Sequence, residues 1–274
     1  MKNISFVKMS GAGNDFIIID KARNAEIVLT NNVISRLCNR RNGIGADGII
    51  IISGHEEFDF SMDYFNADGS TGTLCGNGAR CAIKFARDAG KAKSNYVSFV
   101  SNEIEYTGEL LDNGLVKFNL KPPVNIKENI SLEISGSGIS ASYLHTGSPH
   151  VVIVVDDIDD VPVKKIGREI RYNESFAPEG TNVNFIETTG KKIFIRTYER
   201  GVEDETYACG TGAVAAAIIG NIKFGVKPPV SLHTKGGDKL VVDFIADGSD
   251  YKNVSLTGPV KKVFIGEISI NLNS

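Results

Sequence analysis

The feature that most constrains this chain is that it repeats itself. Tyr64 and Tyr198, Cys75 and Cys209, Gly76 and Gly210, Gly78 and Gly212, and Ala79 and Ala213 are each separated by 134 positions. The turn and strand "GNDFIIID" at 13–20 resemble "GSPHVVIVVD" at 147–156, at an offset of 134 to 136, and "GADGIII" at 45–51 lies about that far from "TNVNFIE" at 181–187. Matches in one order, at nearly one offset, imply two copies of one α+β unit. The expected molecule is pseudo-twofold, with equivalent elements facing each other across a central cleft. A chain of 274 residues has room for two such cores of roughly 130 residues each.

Apolar alternation and short aliphatic runs predict strands near 4–8, 16–20, 48–52, 58–65, 96–101, 103–110 and 115–120. Helices are expected over 31–41, with Thr30 as N-cap, and from Gly76 to Ala89, with Gly90 as C-terminal cap. The "LKPPVN" stretch at 120–125 interrupts the pattern and marks the domain boundary. Beyond it, strands are expected near 150–155, 183–187, 192–199, 230–234, 239–245 and 252–256, and helices over 162–172 and 210–224, the second capped by Gly225. The last segment, "KKVFIGEISINLN", reads as two short strands or a hairpin. The domains are thus 1–120 and 121–260.

A net charge of −3 with no long basic or acidic block points away from nucleic acid and from anionic membranes as partners. No apolar run reaches membrane-spanning length, and the start "MKNISFVKMSG" has no secretory apolar core. The expectation is a cytoplasmic protein with reduced thiols. Cys38, Cys75, Cys81 and Cys209 form no C-x-x-C pair, and His55, His145, His150 and His233 lack zinc-type spacing, so no metal site is expected.

In each copy a strand ends in polar residues ("YFN", "YER"), and at the ninth residue after it Cys–Gly–x–Gly–Ala opens a helix. Small residues there let backbone approach a ligand closely. A helix start presents unpaired N–H groups and a partial positive charge, which suit a carboxylate or phosphate. The same field favours thiolate, lowering a cysteine pKa from about 8.5 toward neutrality. One such cysteine could as well be a small core residue; Cys38 and Cys81 read that way. Cys75 and Cys209 differ because both recur together with their glycines.

Two glycine motifs invite a nucleotide reading. "GIGADG" (43–48) follows a helix and leads into a strand, the reverse of a dinucleotide loop. "GTGAVA" (210–215) has the right order, but no acidic residue ends the strand after its helix. Two facing thiols, by contrast, suit inversion of a stereocentre. One, as thiolate, removes a proton from one side of a carbon while the other, as thiol, adds one to the opposite side. The helix starts would hold the adjacent carboxylate and spread the carbanion charge. The scheme requires no cofactor.

The segments "KMSGAGNDF" (8–16), "NGIGADG" (42–48), "FNADGSTGTLCGNGARC" (65–81), "TGSPH" (146–150), "GTNVNF" (180–185) and "YERGVEDETYACGTGA" (198–213) resemble, in order, those of the cofactor-independent diaminopimelate epimerases. The resemblance implies an α+β fold of two pseudo-symmetric domains, each a mixed, mostly antiparallel sheet wrapped around a central helix, with the active site in the cleft between them. It suggests that strands over 261–274 join the N-terminal half. It also implies interconversion of LL- and meso-diaminopimelate, a precursor of lysine and peptidoglycan, by an isomerase using no cofactor. By motif position Cys75 and Cys209 are the catalytic pair. Gly76, Asn77, Gly210 and Thr211 offer helix-start contacts to the reacting carboxylate. Asn14, Asn66, Ser148 and Asn182 line the substrate, Arg200 grips its distal carboxylate, Glu199 holds the distal ammonium or tunes the site, and His150 supports catalysis. A homodimer is the assembly this reading allows.

Three departures from the family pattern bear on substrate grip: Ser148 where many members have Asn, Gly48 where some have Gln, and the one-residue-longer "GVEDET" before Cys209. Two other readings stay open on the residues alone. One is a two-cysteine racemase of the proline or hydroxyproline type, whose smaller substrate has no distal group for Glu199 and Arg200. The other is a dithiol redox switch or binding protein.

Overall fold

The computed structural model describes residues 2–72, 74–190 and 192–270. By Cα proximity the chain divides into two compact units, Met1–Phe118 with Gly258–Ser274, and Asn119–Thr257. Among the described residues no helix is long and apolar enough to cross a membrane.

The first unit contains β1 (Lys2–Gly11), β2 (Asn14–Asp20), α1 (Asn31–Cys38), β3 (Gly48–Ser53), β4 (Phe60–Asn66), α2 (Gly76–Asp88), β5 (Tyr96–Ser101), β6 (Ile104–Leu110) and β7 (Val116–Asn119). The second contains β8 (Val124–Ile134), β9 (Ser137–His145), β10 (Pro149–Val154), α3 (Val163–Arg171), β11 (Asn182–Thr189), β12 (Lys192–Glu199), β13 (Asp204–Thr206), α4 (Gly210–Phe224), β14 (Val230–Thr234), β15 (Lys239–Asp247) and β16 (Asp250–Gly258). A final strand, β17 (Lys261–Ile270), returns to the first unit.

The two units have the same strand plan. In the first, the order is β17, β1, β2, β3, β4, β5, β6, and the successive pairings are antiparallel, antiparallel, parallel, antiparallel, parallel, antiparallel. In the second, β8, β9, β10, β11, β12, β14, β15 follow with the same senses in the same order. This is the expected duplication, seen in hydrogen-bond polarity. The register also corrects one repeat match. Tyr64 lies opposite Ile50, whereas Thr197, not Tyr198, lies opposite Asn184, so the offset falls to 133 positions along β4 and β12.

Each sheet curls around one helix. α2 packs on β1, β2, β3, β4 and β6, and α4 on β9, β10, β11, β12, β14 and β15. Their sequences explain this: α4 is buried continuously from Gly210 to Gly220, and α2 from Gly76 to Ile83. A helix apolar or small on all sides, as α4 is, belongs inside, and in α2 the polar Asn77 and Arg80 are buried with hydrogen bonds to each other and to Asn14. The amphipathic helices α1 and α3 cover the opposite faces. Val33, Ile34 and Leu37 of α1 pack on Ile17, Ile19 and Ile49, and Val163 and Ile170 of α3 on Val151, Val183 and Phe185. Alternation along each strand sends neighbouring residues to the two faces.

Two expectations fail at the sheet edges. The C-terminal segment is not a hairpin but one strand of ten residues beside β1, from Lys2↔Ile270 to Ser10↔Lys261. Ile268 and Ile270 complete the core over α1, and Gly266 leaves room for Phe6, whose ring would stand 2.7 Å from a Cβ there. Residues 271–274 of that segment lie outside the described residues. The β8–β9 hairpin was not expected at all. β8 is mostly exposed and its register slips twice, so it shows no clean alternation until Ile130, Leu132 and Ile134.

Candidate active site

In the first unit Cys75 is the N-cap of α2, half-buried, with extended backbone; its carbonyl accepts from the Ala79 N–H at 2.8 Å, but its side chain does not cap the helix. Gly76 and Asn77 form the first helical positions. Asn77 is fully buried; its Oδ1 accepts from Arg80 Nη2 at 2.9 Å, and its Nδ2 donates to Asn14 Oδ1. Asn14 Nδ2 in turn donates to Asp47 Oδ2 at 3.1 Å. Asn14 is delivered there by the two-residue turn Ala12–Gly13, both at positive φ, between β1 and β2. Asn66, at the end of β4, donates to Ser70 Oγ at 3.0 Å. Ser70 is held by Asp68.

In the second unit Cys209 is the N-cap of α4, buried, and likewise leaves its helix uncapped by its side chain. Its Sγ lies 3.6 Å from Thr211 Oγ1. His150 on β10 is fully buried, its Nε2 2.9 Å from Thr211 Oγ1 and 3.0 Å from Ser148 Oγ. Burial, reinforced by the neighbouring charges of His145 and Arg200, pushes the His150 pKa down to about 3, so the ring is neutral. Ser148 Oγ stands 3.2 Å from Thr211 Oγ1, the pseudo-symmetric counterpart of the Asn14–Asn77 bond. The Ser at 148 therefore shortens a side chain without leaving the helix start.

Asn182, at the head of β11, ties the site together. Its Nδ2 donates to the Pro149 carbonyl at 2.9 Å, and its Oδ1 accepts from the Arg200 backbone N–H at 2.9 Å. Glu199 ends β12 and accepts from Thr206 Oγ1 at 2.8 Å. The Arg200 guanidinium reaches the Glu179 carbonyl at 3.4 Å. The extra residue of "GVEDET" is absorbed in a tight turn. The Glu203 N–H donates to the Glu199 carbonyl at 2.8 Å, and its carboxylate accepts from Arg171 and Gly201. Asp204–Thr206 then pairs with β12 on the way to Cys209. Gly48, by contrast, is closed in by Phe65 and Tyr64, with the Phe65 carbonyl 2.5 Å from where a Cβ would sit.

The structure thus gathers Asn14, Asn77, Gly76 and Cys75 at one helix start. It gathers Ser148, His150, Asn182, Gly210, Thr211 and Cys209 at the other, with Glu199 and Arg200 carried to that unit's site by β12. Cys38 and Cys81 are different: neither stands at a helix start, and burial pushes each thiol up to about 12. The sequence reading missed Arg80, Asp47, Asn184 and Thr197. A signal existed for Asn184, a polar residue two positions after Asn182 and so on the same face of an otherwise aliphatic strand. Arg80 was hidden by position: arginine in a helix normally reads as solvated.

Asn14 is also braced from below. Arg40 Nη2 bonds Asp15 Oδ1 at 2.7 Å and Asp47 Oδ1 at 2.6 Å, and Lys8 Nζ lies 2.7 Å from Asp15 Oδ2. Burial alone would raise the Asp15 carboxyl, but hydrogen bonds and charge from Arg40 and Lys8 outweigh it and hold the pKa at about 2, against 3.8 unperturbed. A depressed carboxylate stabilises the fold above its unfolded pKa, and that stability is lost as pH falls through the folded value. Asp47 is shifted upward, by burial first and then by Asp15, so its protonation offsets part of the loss. Wild type should therefore lose on the order of 1 kcal/mol relative to Asp15→Asn between about pH 4 and pH 2, a figure reduced for solvent screening. Urea midpoints of both proteins at the two ends of that window are the check; a difference independent of pH would refute the assignment.

The sequence profile of the family described as diaminopimelate epimerase matches residues 6–124 and 142–263. A diaminopimelate epimerase of Aquifex aeolicus is 42% identical over 278 aligned positions, which cover 97% of this chain and 98% of the relative. One of Chlorobaculum tepidum is 40% identical, over 96% of this chain and 100% of its own. Among solved structures, a Bacillus anthracis protein of the phenazine biosynthesis PhzF family superposes with a TM-score of 0.76 at 16% identity, covering 98% of this chain and 100% of that one. A probable proline racemase from Agrobacterium radiobacter K84 gives 0.72 at 11% identity, over 98% and 93% of the two chains. At such identities the solved structures speak for the duplicated fold alone. The sequence relatives reach further, because they share nearly their whole length with a chain whose two halves both open a central helix on a cysteine: it belongs to the diaminopimelate epimerase family.

Proposed function

We propose that the chain is a diaminopimelate epimerase, interconverting LL- and meso-diaminopimelate by two-base proton transfer between Cys75 and Cys209. The supporting observation is the recurrence, in both units, of a cysteine N-cap on a buried helix whose first turn the cysteine side chain does not cap. In this reading one sulfur, as thiolate, takes the α proton. The electron pair moves into the adjacent carboxylate, whose growing charge meets the amides and positive ends of the two helices. The other sulfur, as thiol, delivers its proton to the opposite face, so the cysteines exchange charge states on each turnover. Asn14, Asn66, Ser148 and Asn182 orient the substrate, with Gly76, Asn77, Gly210 and Thr211 at its reacting carboxylate. Arg200 and Glu199 hold the distal amino-acid end, a planar guanidinium suiting a carboxylate. His150 supports the Cys209 side as a neutral ring. No cofactor is used. The enzyme acts in the cytoplasm on a free small molecule, without nucleic acid or membrane, and a homodimer is the assembly we carry forward.

Reduced protein incubated with LL-diaminopimelate in deuterated water should give meso product carrying one deuterium at the inverted carbon. Early in the reaction the remaining LL substrate should stay nearly free of label, since the acid that reprotonates differs from the base that abstracts. Turnover of proline but not diaminopimelate would refute the substrate. Disulfide cycling without inversion would favour a dithiol switch.

A further inference from the structure

One internal difference between the two copies is a cluster of three strand positions. On the first unit's strands Phe16 and Ile50 flank α2, and Tyr64 packs edge-on against Phe16, with ring centroids 6.1 Å apart. By strand register the same three places in the second unit hold His150, Asn184 and Thr197. All three are buried. Burying polar groups costs free energy unless each is bonded, and the first unit shows that aromatic and aliphatic residues serve the fold there. The polar trio is therefore not needed to build this architecture.

The trio is fully bonded and directional. Asn184 Nδ2 donates to the Val151 carbonyl at 3.0 Å, and its Oδ1 accepts from Thr197 Oγ1 at 3.0 Å. A backbone carbonyl can only accept, so the amide nitrogen must face it, and the amide has one orientation. The same nitrogen lies 3.0 Å from His150 Nδ1. That ring nitrogen must accept, so a neutral ring carries its proton on Nε2, and an imidazolium would set two donors against each other. A protonated Nε2 cannot accept from Thr211, 2.9 Å away. Its one hydrogen goes to the Thr211 oxygen or to the Ser148 oxygen, 3.0 Å away; in both cases the Thr211 hydroxyl hydrogen is kept off the ring and has the Ser148 oxygen at 3.2 Å and the Cys209 sulfur at 3.6 Å as its acceptors.

We propose that Asn184 is a positioning residue: it locks His150 in the Nε2–H tautomer and so keeps the Thr211 hydroxyl proton off the ring and free to turn to Cys209 when that cysteine is a thiolate. The inference rests on the epimerase reading for its catalytic consequence but not for the tautomer itself. His150 then acts as a fixed donor rather than as a proton acceptor for the thiol.

The test is nitrogen NMR of the whole protein labelled with 15N-histidine, without substrate. His150 should show a protonated Nε2 and an unprotonated Nδ1, unchanged from about pH 6 to about pH 9, far above its depressed pKa. A proton on Nδ1, or a ring that titrates in that window, overturns the proposal. In Asn184→Asp the carboxylate can only accept, so the ring proton should move to Nδ1. Turnover should fall about tenfold to a hundredfold, the worth of a hydrogen bond to a charged group, while KM moves less than about threefold. Reversal of the tautomer with full turnover would also overturn it. Should that variant fail to fold, Thr211→Val should show the same loss and Thr211→Ser should restore turnover to within a few-fold; an unimpaired Thr211→Val refutes the relay. If wild type turns over no diaminopimelate, the function reading fails while the tautomer measurement still decides the role of Asn184.

Discussion

Cys75→Ser and Cys209→Ser should each lower turnover of diaminopimelate by on the order of 10³-fold or more, and the double variant should be no slower than the slower single one. A serine hydroxyl does not ionise near neutral pH even beside a helix start, whereas a thiol with a free pKa of about 8.5 is brought into range by that field. Removing either sulfur breaks the same event, because abstraction on one face is productive only when an acid waits on the other. Residues that act as a unit lose their effect together rather than additively. Cys81→Ala is the control. That thiol is buried and its pKa raised to about 12, so its loss should leave turnover within a few-fold. The check is to measure inversion and solvent deuterium uptake separately for each variant. If one cysteine variant keeps both near the wild-type rate, the two-base assignment is wrong.

Gly212→Ala should cost roughly 1–3 kcal/mol of stability and most of the activity, while Gly78→Ala at the equivalent place should cost less than about 1 kcal/mol. A Cβ at 212 would stand 2.3 Å from Asn184 Oδ1 and 3.2 Å from Cys209 Cβ. Asn184 cannot yield, since bonds to Thr197, His150 and Val151 hold it. The intruding methyl must push apart either that network or the helix start bearing Cys209. A Cβ at 78 meets only the tip of Ile50, Cδ1 at 3.1 Å, with Cys75 Cβ at 3.6 Å. A methyl tip can rotate, and alanine recovers about 1 kcal/mol of helix propensity over glycine. Urea unfolding of both variants, read with turnover, separates the outcomes. Equal destabilisation would mean that the two helix starts are packed alike and that the polar trio has no special rigidity.

Much of this site was legible before any coordinates. The repeated Cys–Gly–x–Gly–Ala announced two helix starts, because capping positions and small residues are local signals that do not depend on the rest of the fold. The all-round burial of α4 follows from a composition too small and apolar to face water, whereas α2 carries Asn77, Arg80 and Lys84 and does not announce its burial in that way. What stayed hidden was of two kinds. The strand β17 is held by β1, far along the chain, and β8 is mostly exposed with a register that slips twice, so the residues of both alternate weakly. Asn184, Thr197, Arg80 and Asp47 looked ordinary singly, and matter through what they touch.

By itself, then, the sequence determined that this protein is a duplicated α+β chain of the diaminopimelate epimerase family, with cysteines opening both central helices. Repeats, caps and periodicity are written in neighbouring residues, where propensity and burial act directly. Only the tertiary structure decided that the copies are unequal inside. Pairing β10 with β11 and β11 with β12 sets His150, Asn184 and Thr197 in one chain of hydrogen bonds, where the other copy has Phe16, Ile50 and Tyr64. Strand register is a long-range choice, and a shift of one residue would turn every one of these side chains to the other face.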